Sequence, residues 1–254
     1  MDPQFLSRAA EETSHVVVER DGAVFLLPTR QKAGIDRLQK AKWKEHRHLG
    51  RALKAVEPAG PLFVDVGAHI GTTVIAAVVR FGFESAVAFE PEAENYRLLR
   101  ANVLLNGLAE RIETFNVAVS NRSGAAELKL RPEFGAKHRL LDAPEAGAIT
   151  VTVPLTTLDE AGVDVSSAGL LWLDVEGHEQ EVLEGAATLL ERGVPAVLEL
   201  IPRRLELEPL EALLARHYTD VVDLREGNRL PIAELRSLAK RYKRGFTDVL
   251  VLRG

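Results

Sequence analysis

The stretch that decides the fold is Leu62-Phe63-Val64-Asp65-Val66-Gly67-Ala68-His69-Ile70-Gly71-Thr72-Thr73. A short, mostly apolar run, two glycines spaced Gly67-x-x-x-Gly71, and a second apolar run to Phe81 read as buried strand, tight turn and helix. The alternation continues outward. Ala86–Phe89 reads as a strand, and Glu92–Leu105 as a helix closed by Asn106-Gly107. Strands are expected at Ile112–Val119, Ala125–Leu130, Ile149–Leu155 and Leu170–Leu173, then a helix from Glu179 to Glu191. A strand at Ala196–Leu200, a helix at Leu205–His217, a strand at Asp220–Leu224, a short helix at Ile232–Lys240 and a strand at Phe246–Leu252 complete the pattern. Repeated strand–helix–strand units predict an α/β fold, a mostly parallel sheet with helices on both faces.

Upstream, Val16–Val18 and Val24–Leu27 flank Asp21-Gly22, a hairpin signal. Asp36 to Val56 reads as a basic helix carrying Arg37, Lys40, Lys42, Lys44, Arg47, Arg51 and Lys54, a run expected to be a solvated face. Pro58-Ala59-Gly60-Pro61 breaks it. Residues 1–57 are thus expected to form an N-terminal hairpin and helical cap, and residues 58–254 the main domain with an inserted β-hairpin. Residues 134–142, between two β segments, form a loop that could close over a substrate.

The chain has 254 residues, 32 Lys and Arg against 37 Asp and Glu, and no Cys. The missing Cys excludes a disulfide framework, a thiolate nucleophile and Cys-ligated metal. The mild acidity argues against a nucleic-acid binder, where a basic stripe should dominate. No run approaches the ~20 apolar residues of a membrane span, and the N-terminus has no basic and apolar leader. The expected compartment is the cytoplasm.

Ligands of such sheets sit beyond the carboxyl ends of the strands. Three segments fall there. In the first, Gly67 permits close backbone approach, Gly71 opens the helix, and Thr72 and Thr73 place hydroxyls at a helix start that attracts an anion. In the second, Glu90-Pro91 ends the next strand, where a carboxylate can accept both hydroxyls of a ribose. An adenosine-bearing ligand follows. The spacing lacks both G-x-G-x-x-G and the P-loop pattern, and Asp65 can hold the ammonium of a methionine moiety. S-adenosylmethionine (SAM) is therefore preferred over NAD.

The third segment, Leu173-Asp174-Val175-Glu176-Gly177-His178-Glu179, carries carboxylates and an imidazole. Glu176 or His178 could take the proton of a methyl acceptor. Asp174, Glu176 and His178 could also be read as metal ligands, but no H-E-x-x-H or spaced triad supports it, and no metal is expected. Glu179 reads as a helix-start residue.

Together, Asp65-Val66-Gly67-Ala68-His69-Ile70-Gly71, Phe89-Glu90-Pro91, Asn102 through Asn106-Gly107, and Asp174-Val175-Glu176-Gly177-His178-Glu179 with Val182-Leu183-Glu184-Gly185-Ala186 resemble the FkbM family of SAM-dependent methyltransferases. The resemblance spans about residues 60–201. It implies a Rossmann-like class I methyltransferase sheet of seven strands, the final one antiparallel beside the fifth. It also implies O-methylation of a sugar or natural-product hydroxyl, a small-molecule acceptor. Asp65, Gly67, Gly71 and Glu90 would contact SAM, Ala118 would lie near the adenine and Asp174 near the methionine end. His69 stands where the resemblance leads one to expect Asn. A D-P-P-Y-like clamp for a flipped base is not found at Leu200-Ile201-Pro202-Arg203. A silent SAM-binding module and an NAD-dependent oxidoreductase are the competing readings.

Overall fold

The computed structural model of the chain describes residues 14–29, 43–131, 137–141, 143, 145–242 and 245–254. Strands β1 (His15–Arg20) and β2 (Ala23–Pro28) form the expected antiparallel hairpin. Helix α1 (Lys44–Ala55) follows; the part of the predicted basic helix before Trp43 lies outside the described residues. Next come β3 (Leu62–Val66), α2 (Thr72–Val79), β4 (Ser85–Phe89), α3 (Ala93–Leu105) and β5 (Ile112–Phe115). A β-rich stretch holds β6 (Ala118–Val119), β7 (Gly124–Lys129), β8 (Arg139–Leu141) and β9 (Thr150–Thr156). The chain returns through β10 (Ala168–Leu173), α4 (Glu179–Glu184), α5 (Ala187–Arg192) and β11 (Ala196–Leu200). It ends with α6 (Leu207–Leu214), β12 (Asp220–Asp223), β13 (Arg229–Pro231), α7 (Leu235–Arg241) and β14 (Thr247–Leu252).

The main sheet runs β13-β12-β14-β11-β10-β3-β4-β5. Strands β5, β4, β3, β10 and β11 are parallel, while β14 is antiparallel to both β11 and β12. The sheet therefore has eight strands, not the expected seven. The extra one, Arg229-Leu230-Pro231, pairs antiparallel with the outer side of β12, and its proline is tolerated because the strand sits at an edge. The final strand does lie antiparallel beside β11. β3, β10, β11 and β14 are buried along their whole length, as their apolar sequences require for a sheet covered on both faces. Strand order reverses between β3, which leads to β4 on one side, and β10 on the other. That reversal opens a crevice at their carboxyl ends.

Two expected elements are divided. Ile112–Val119 splits because the Asn116 side-chain amide donates to the carbonyls of Glu90 (2.9 Å) and Pro91 (3.0 Å), holding the chain at the end of β4. Beyond it, β6 joins a separate sheet ordered β6-β9-β7-β8 around Leu128, Val153 and Leu155, so the expected hairpin is part of a four-stranded unit. The helix expected over 179–191 breaks at Gly185, where a Cβ would lie 2.1 Å from the Ser120 carbonyl oxygen. Of the predicted substrate-closing loop, Arg139–Leu141 forms β8, and residues 134–136 and 142 lie outside the described residues.

The hairpin docks through two side chains one turn apart on α3. Asn106 Oδ1 accepts from the Val24 N–H at 2.8 Å and Asn102 Oδ1 from Leu26 N–H at 2.6 Å, while both amides donate back to the carbonyls of the same residues. The open edge of β2 is thus satisfied without a third strand. Phe25, Trp43 and Leu49 share one apolar cluster with Phe63, Ile75 and Leu99. Among the described residues, no helix is long and apolar enough to cross a membrane.

Candidate active site

A cavity of about 390 Å³ opens at the carboxyl ends of β3, β4, β10 and β11. Asp65, Gly67, His69, Thr72, Glu90, Pro91, Ala118, Asp174, Glu176 and His178 all line it. Gly71 is not among the lining residues. It sits at the start of α2, packed toward Leu99. The turn after β3 crosses the end of β10 so closely that a Cβ on Gly67, at φ +87°, would lie 2.1 Å from the Asp174 carbonyl oxygen. That contact and the left-handed backbone together require glycine. The Gly67 and Ala68 amides both donate to the Phe89 carbonyl at 3.0 Å, and Asp174 N–H donates to Val66 O at 3.0 Å. These bonds gather the ends of β3, β4 and β10 around one point.

Two carboxyls form the floor on the β3–β4 side. Glu90 is buried; its Oε2 accepts the His69 backbone N–H at 2.8 Å and its Oε1 the Glu92 N–H at 2.9 Å. His69 reaches that position with φ +52°, and its backbone N–H makes the contact with Glu90. Burial raises Glu90 to about 7. The Asn95 side chain also hydrogen-bonds this carboxylate, whose lone-pair sites still leave room for a ligand hydroxyl. Asp65 is 1% exposed, and its Oδ2 has no hydrogen-bond partner. Burial, then repulsion from Glu90, pushes Asp65 up to about 8. A buried carboxylate oxygen without a partner is costly unless a cation or donor reaches it from the cavity.

The opposite wall was only partly foreseen. Asp174 is raised well above the ordinary carboxylate range by burial and by Glu199. Glu199, next to the last residue of β11, is raised to about 7 by burial against the pull of Lys44. Lys44 Nζ lies 2.8 Å from Asp248 Oδ2 and 3.3 Å from Glu199 Oε1, and stands 3.9 Å over the Phe246 ring. Burial alone would lower Lys44, but Asp248 and Glu199 outweigh it and raise its affinity for the proton. His48 Nδ1 meets the same Oδ2 of Asp248. Lys44 was expected on a solvated face; α1 instead turns it into the cavity. Glu199 and Asp248 were missed, though an acid within each of two apolar strands, Ala-Val-Leu-Glu-Leu and Thr-Asp-Val-Leu-Val-Leu, is itself a signal. Oxygens of Asp174, Glu176 and Glu199 lie within 4.8 Å of one another, with Arg204 and Lys44 as counter-ions to the latter two.

The loop from Asp174 to His178 separates its two basic candidates. Glu176, at φ +57°, is held in an ion pair by Arg204, which also donates to the Glu176 carbonyl at 3.1 Å. His178 Nε2 lies 2.9 Å from Ser120 Oγ, and its Nδ1 lies 3.5 Å from Glu181 Oε2. Ser120 was not anticipated; it reaches the imidazole because Gly185 lets β6 and the end of α4 touch. Glu179 is fully buried beneath the loop, its Oε1 accepting the Gly177 N–H at 3.2 Å, and burial raises it to about 8. It braces the loop as well as opening α4.

Residues 65–223 match the family model described as the Methyltransferase FkbM domain. No curated protein matches the chain. Among solved structures, PH0793 from Pyrococcus horikoshii is 18% identical with a TM-score of 0.51, covering 94% of this chain and 70% of that one. M. jannaschii TYW2, in complex with AdoMet, is 14% identical with a TM-score of 0.50, covering 94% and 84%. The FkbM methyltransferase of Methylobacillus flagellatus is 15% identical with a TM-score of 0.45, covering 76% of this chain and 44% of that one.

Proposed function

The chain belongs to the FkbM methyltransferase family, whose methyl donor is SAM, and from that premise we propose that it O-methylates a sugar or natural-product hydroxyl on a small-molecule acceptor in the cytoplasm. Residues 1–57 would serve as a cap and residues 58–254 as the catalytic domain. The observation that carries the reading is the unpartnered, buried Asp65 Oδ2 beside the buried Glu90 carboxylate, across one cavity from the Asp174–His178 loop. When bound, SAM supplies a methyl group on a positively charged sulfur.

The chain's own residues would do the rest. Asp65 takes the donor's ammonium, and its proton leaves as that cation arrives. Glu90 accepts the ribose hydroxyls with the lone-pair sites that its two backbone amides and Asn95 leave open. The turn through Gly67, His69, Gly71 and Thr72, with Pro91, shapes the pocket. Ala118 flanks the adenine, and Asp174 faces the methionine end.

His178 is the better base of the two candidates. Arg204 pairs with the Glu176 carboxylate and occupies it, which leaves it less available to an acceptor's proton. With Glu181 favouring the proton on Nδ1, the lone pair of His178 lies on Nε2. The Ser120 hydroxyl donates to that lone pair, and the acceptor hydroxyl would take its place. The acceptor's proton passes to Nε2 as its oxygen bonds the methyl carbon and the carbon–sulfur bond breaks.

The test is transfer of labelled methyl from SAM to a panel of hydroxyl acceptors, with fragmentation to locate the label. A label on oxygen, lost in His178→Ala with SAM binding kept, supports the reading. A label confined to a nucleobase nitrogen of RNA would overturn it.

A further inference from the structure

A second cavity, of about 620 Å³, opens beside the Asp174–His178 loop and shares Glu176, His178, Arg139, Arg203 and Arg204, among others, with the first. Its charge is of the other sign. Four guanidinium groups line it, those of Arg131, Arg139, Arg203 and Arg204. Of the three acids in its wall, Glu176 is paired with Arg204 and Glu181 faces His178, while Glu206 is exposed. Arg139 also reaches Glu145 at 2.7 Å, a residue outside this wall.

Arg139, Arg203 and Arg204 thus stand where the two cavities meet, and Arg131 lies in the second alone. The first gathers Asp65, Glu90, Asp174 and Glu199, which suits a donor carrying a sulfonium and an ammonium. A cluster of arginines has no use for that donor. Resting on the reading above, in which the acceptor hydroxyl approaches His178, the rest of the acceptor extends toward the arginines. Guanidinium groups stay charged at any working pH and meet phosphate oxygens with paired N–H donors. The concavity is of small-ligand size, which suits a phosphorylated small molecule. We propose that the second cavity binds a phosphate group of the acceptor, so that the methylated molecule is a phosphate ester of a small hydroxyl compound.

Inorganic pyrophosphate is the probe. It is titrated calorimetrically into protein saturated with S-adenosylhomocysteine, for the wild type and for Arg131→Ala/Arg203→Ala. Arg131 lies outside the donor cavity and Arg203 where the two cavities meet, so a parallel SAM titration reports whether the fold and the donor site are intact. The expected result is saturable pyrophosphate binding that weakens at least about tenfold in the double variant, with SAM affinity unchanged. Absence of pyrophosphate binding to the wild type, or equal binding by the variant, would overturn the proposal. Binding of a short oligoribonucleotide that pyrophosphate does not displace would overturn it too. Failure of the methyltransferase reading looks different: the S-adenosylhomocysteine titration itself would then be blank.

Discussion

Replacing Asp65 by Asn should stabilise the protein at pH 8 while destroying its affinity for SAM. In the folded chain without donor, burial and Glu90 raise Asp65 from 3.8 to about 8. Between those values the unfolded chain has released the proton and the folded chain still holds it. Stability therefore falls as pH rises through that window. At about 1.4 kcal/mol per pH unit, the buried carboxyl costs on the order of 5 kcal/mol by pH 8. Asn is nearly isosteric and keeps an acceptor for the Val74 N–H bonded to Asp65, so it removes the charge without a cavity. Allowing for relaxation, a gain of at least about 2 kcal/mol is expected at pH 8, or a rise in Tm of at least ~4 °C. The gain should vanish below pH 4, where both states hold the proton. SAM binding should weaken at least about a hundredfold, since a buried charged partner is lost. Thermal melts at several pH values, paired with SAM titrations, check both halves. Destabilisation equal at pH 5 and pH 8, or SAM affinity within threefold of wild type, would refute the reasoning.

Lys44→Met removes the cation between Glu199 and Asp248; it should cost roughly 3 kcal/mol, with the deficit growing above pH 7 as Glu199 is forced to ionise, read by denaturant melts across pH. Glu181→Gln and Ser120→Ala should each lower kcat and shift the acidic limb of the pH–rate profile through the orientation of His178, with KM for SAM unchanged; a kcat–pH profile superposing on wild type would argue against this positioning. Gly67→Ala, whose Cβ meets the Asp174 carbonyl, should lose about 2–4 kcal/mol of stability along with SAM binding, measured by melts and titration.

Much of this fold was legible because local and tertiary preferences agree. The Leu62–Val66 strand is apolar at all positions but Asp65, and the one acid that breaks it lies at the ligand cavity. Elements went astray where a distant contact decided the outcome. Val182-Leu183-Glu184-Gly185-Ala186 reads as helix apart from one glycine, and the Ser120 carbonyl lies where a side chain at 185 would stand, at the point where α4 ends. Asn116 reads as one more strand residue until its amide is seen tied to the end of β4. Arg229–Pro231 is too short and too polar to announce an edge strand; it pairs because β12 leaves that edge open. The site divided similarly. Asp65, Glu90 and the Asp174–His178 loop follow strands, so their place was readable from topology. Lys44 lay hidden in a basic helix, where periodicity gives no hint that one cation of several faces two buried acids. Ser120 carries no sequence pattern at all, and only the fold sets it against His178.

The central claim is that the cavity at the ends of β3, β4 and β10 holds SAM, gripped by Asp65 and Glu90. The most direct measurement is one calorimetric comparison of SAM, S-adenosylhomocysteine and NAD on the wild type and on Glu90→Ala. The account predicts micromolar binding of the first two, none of NAD, and a loss of SAM affinity in the variant. Micromolar binding of NAD without SAM, or SAM binding indifferent to Glu90, would contradict it.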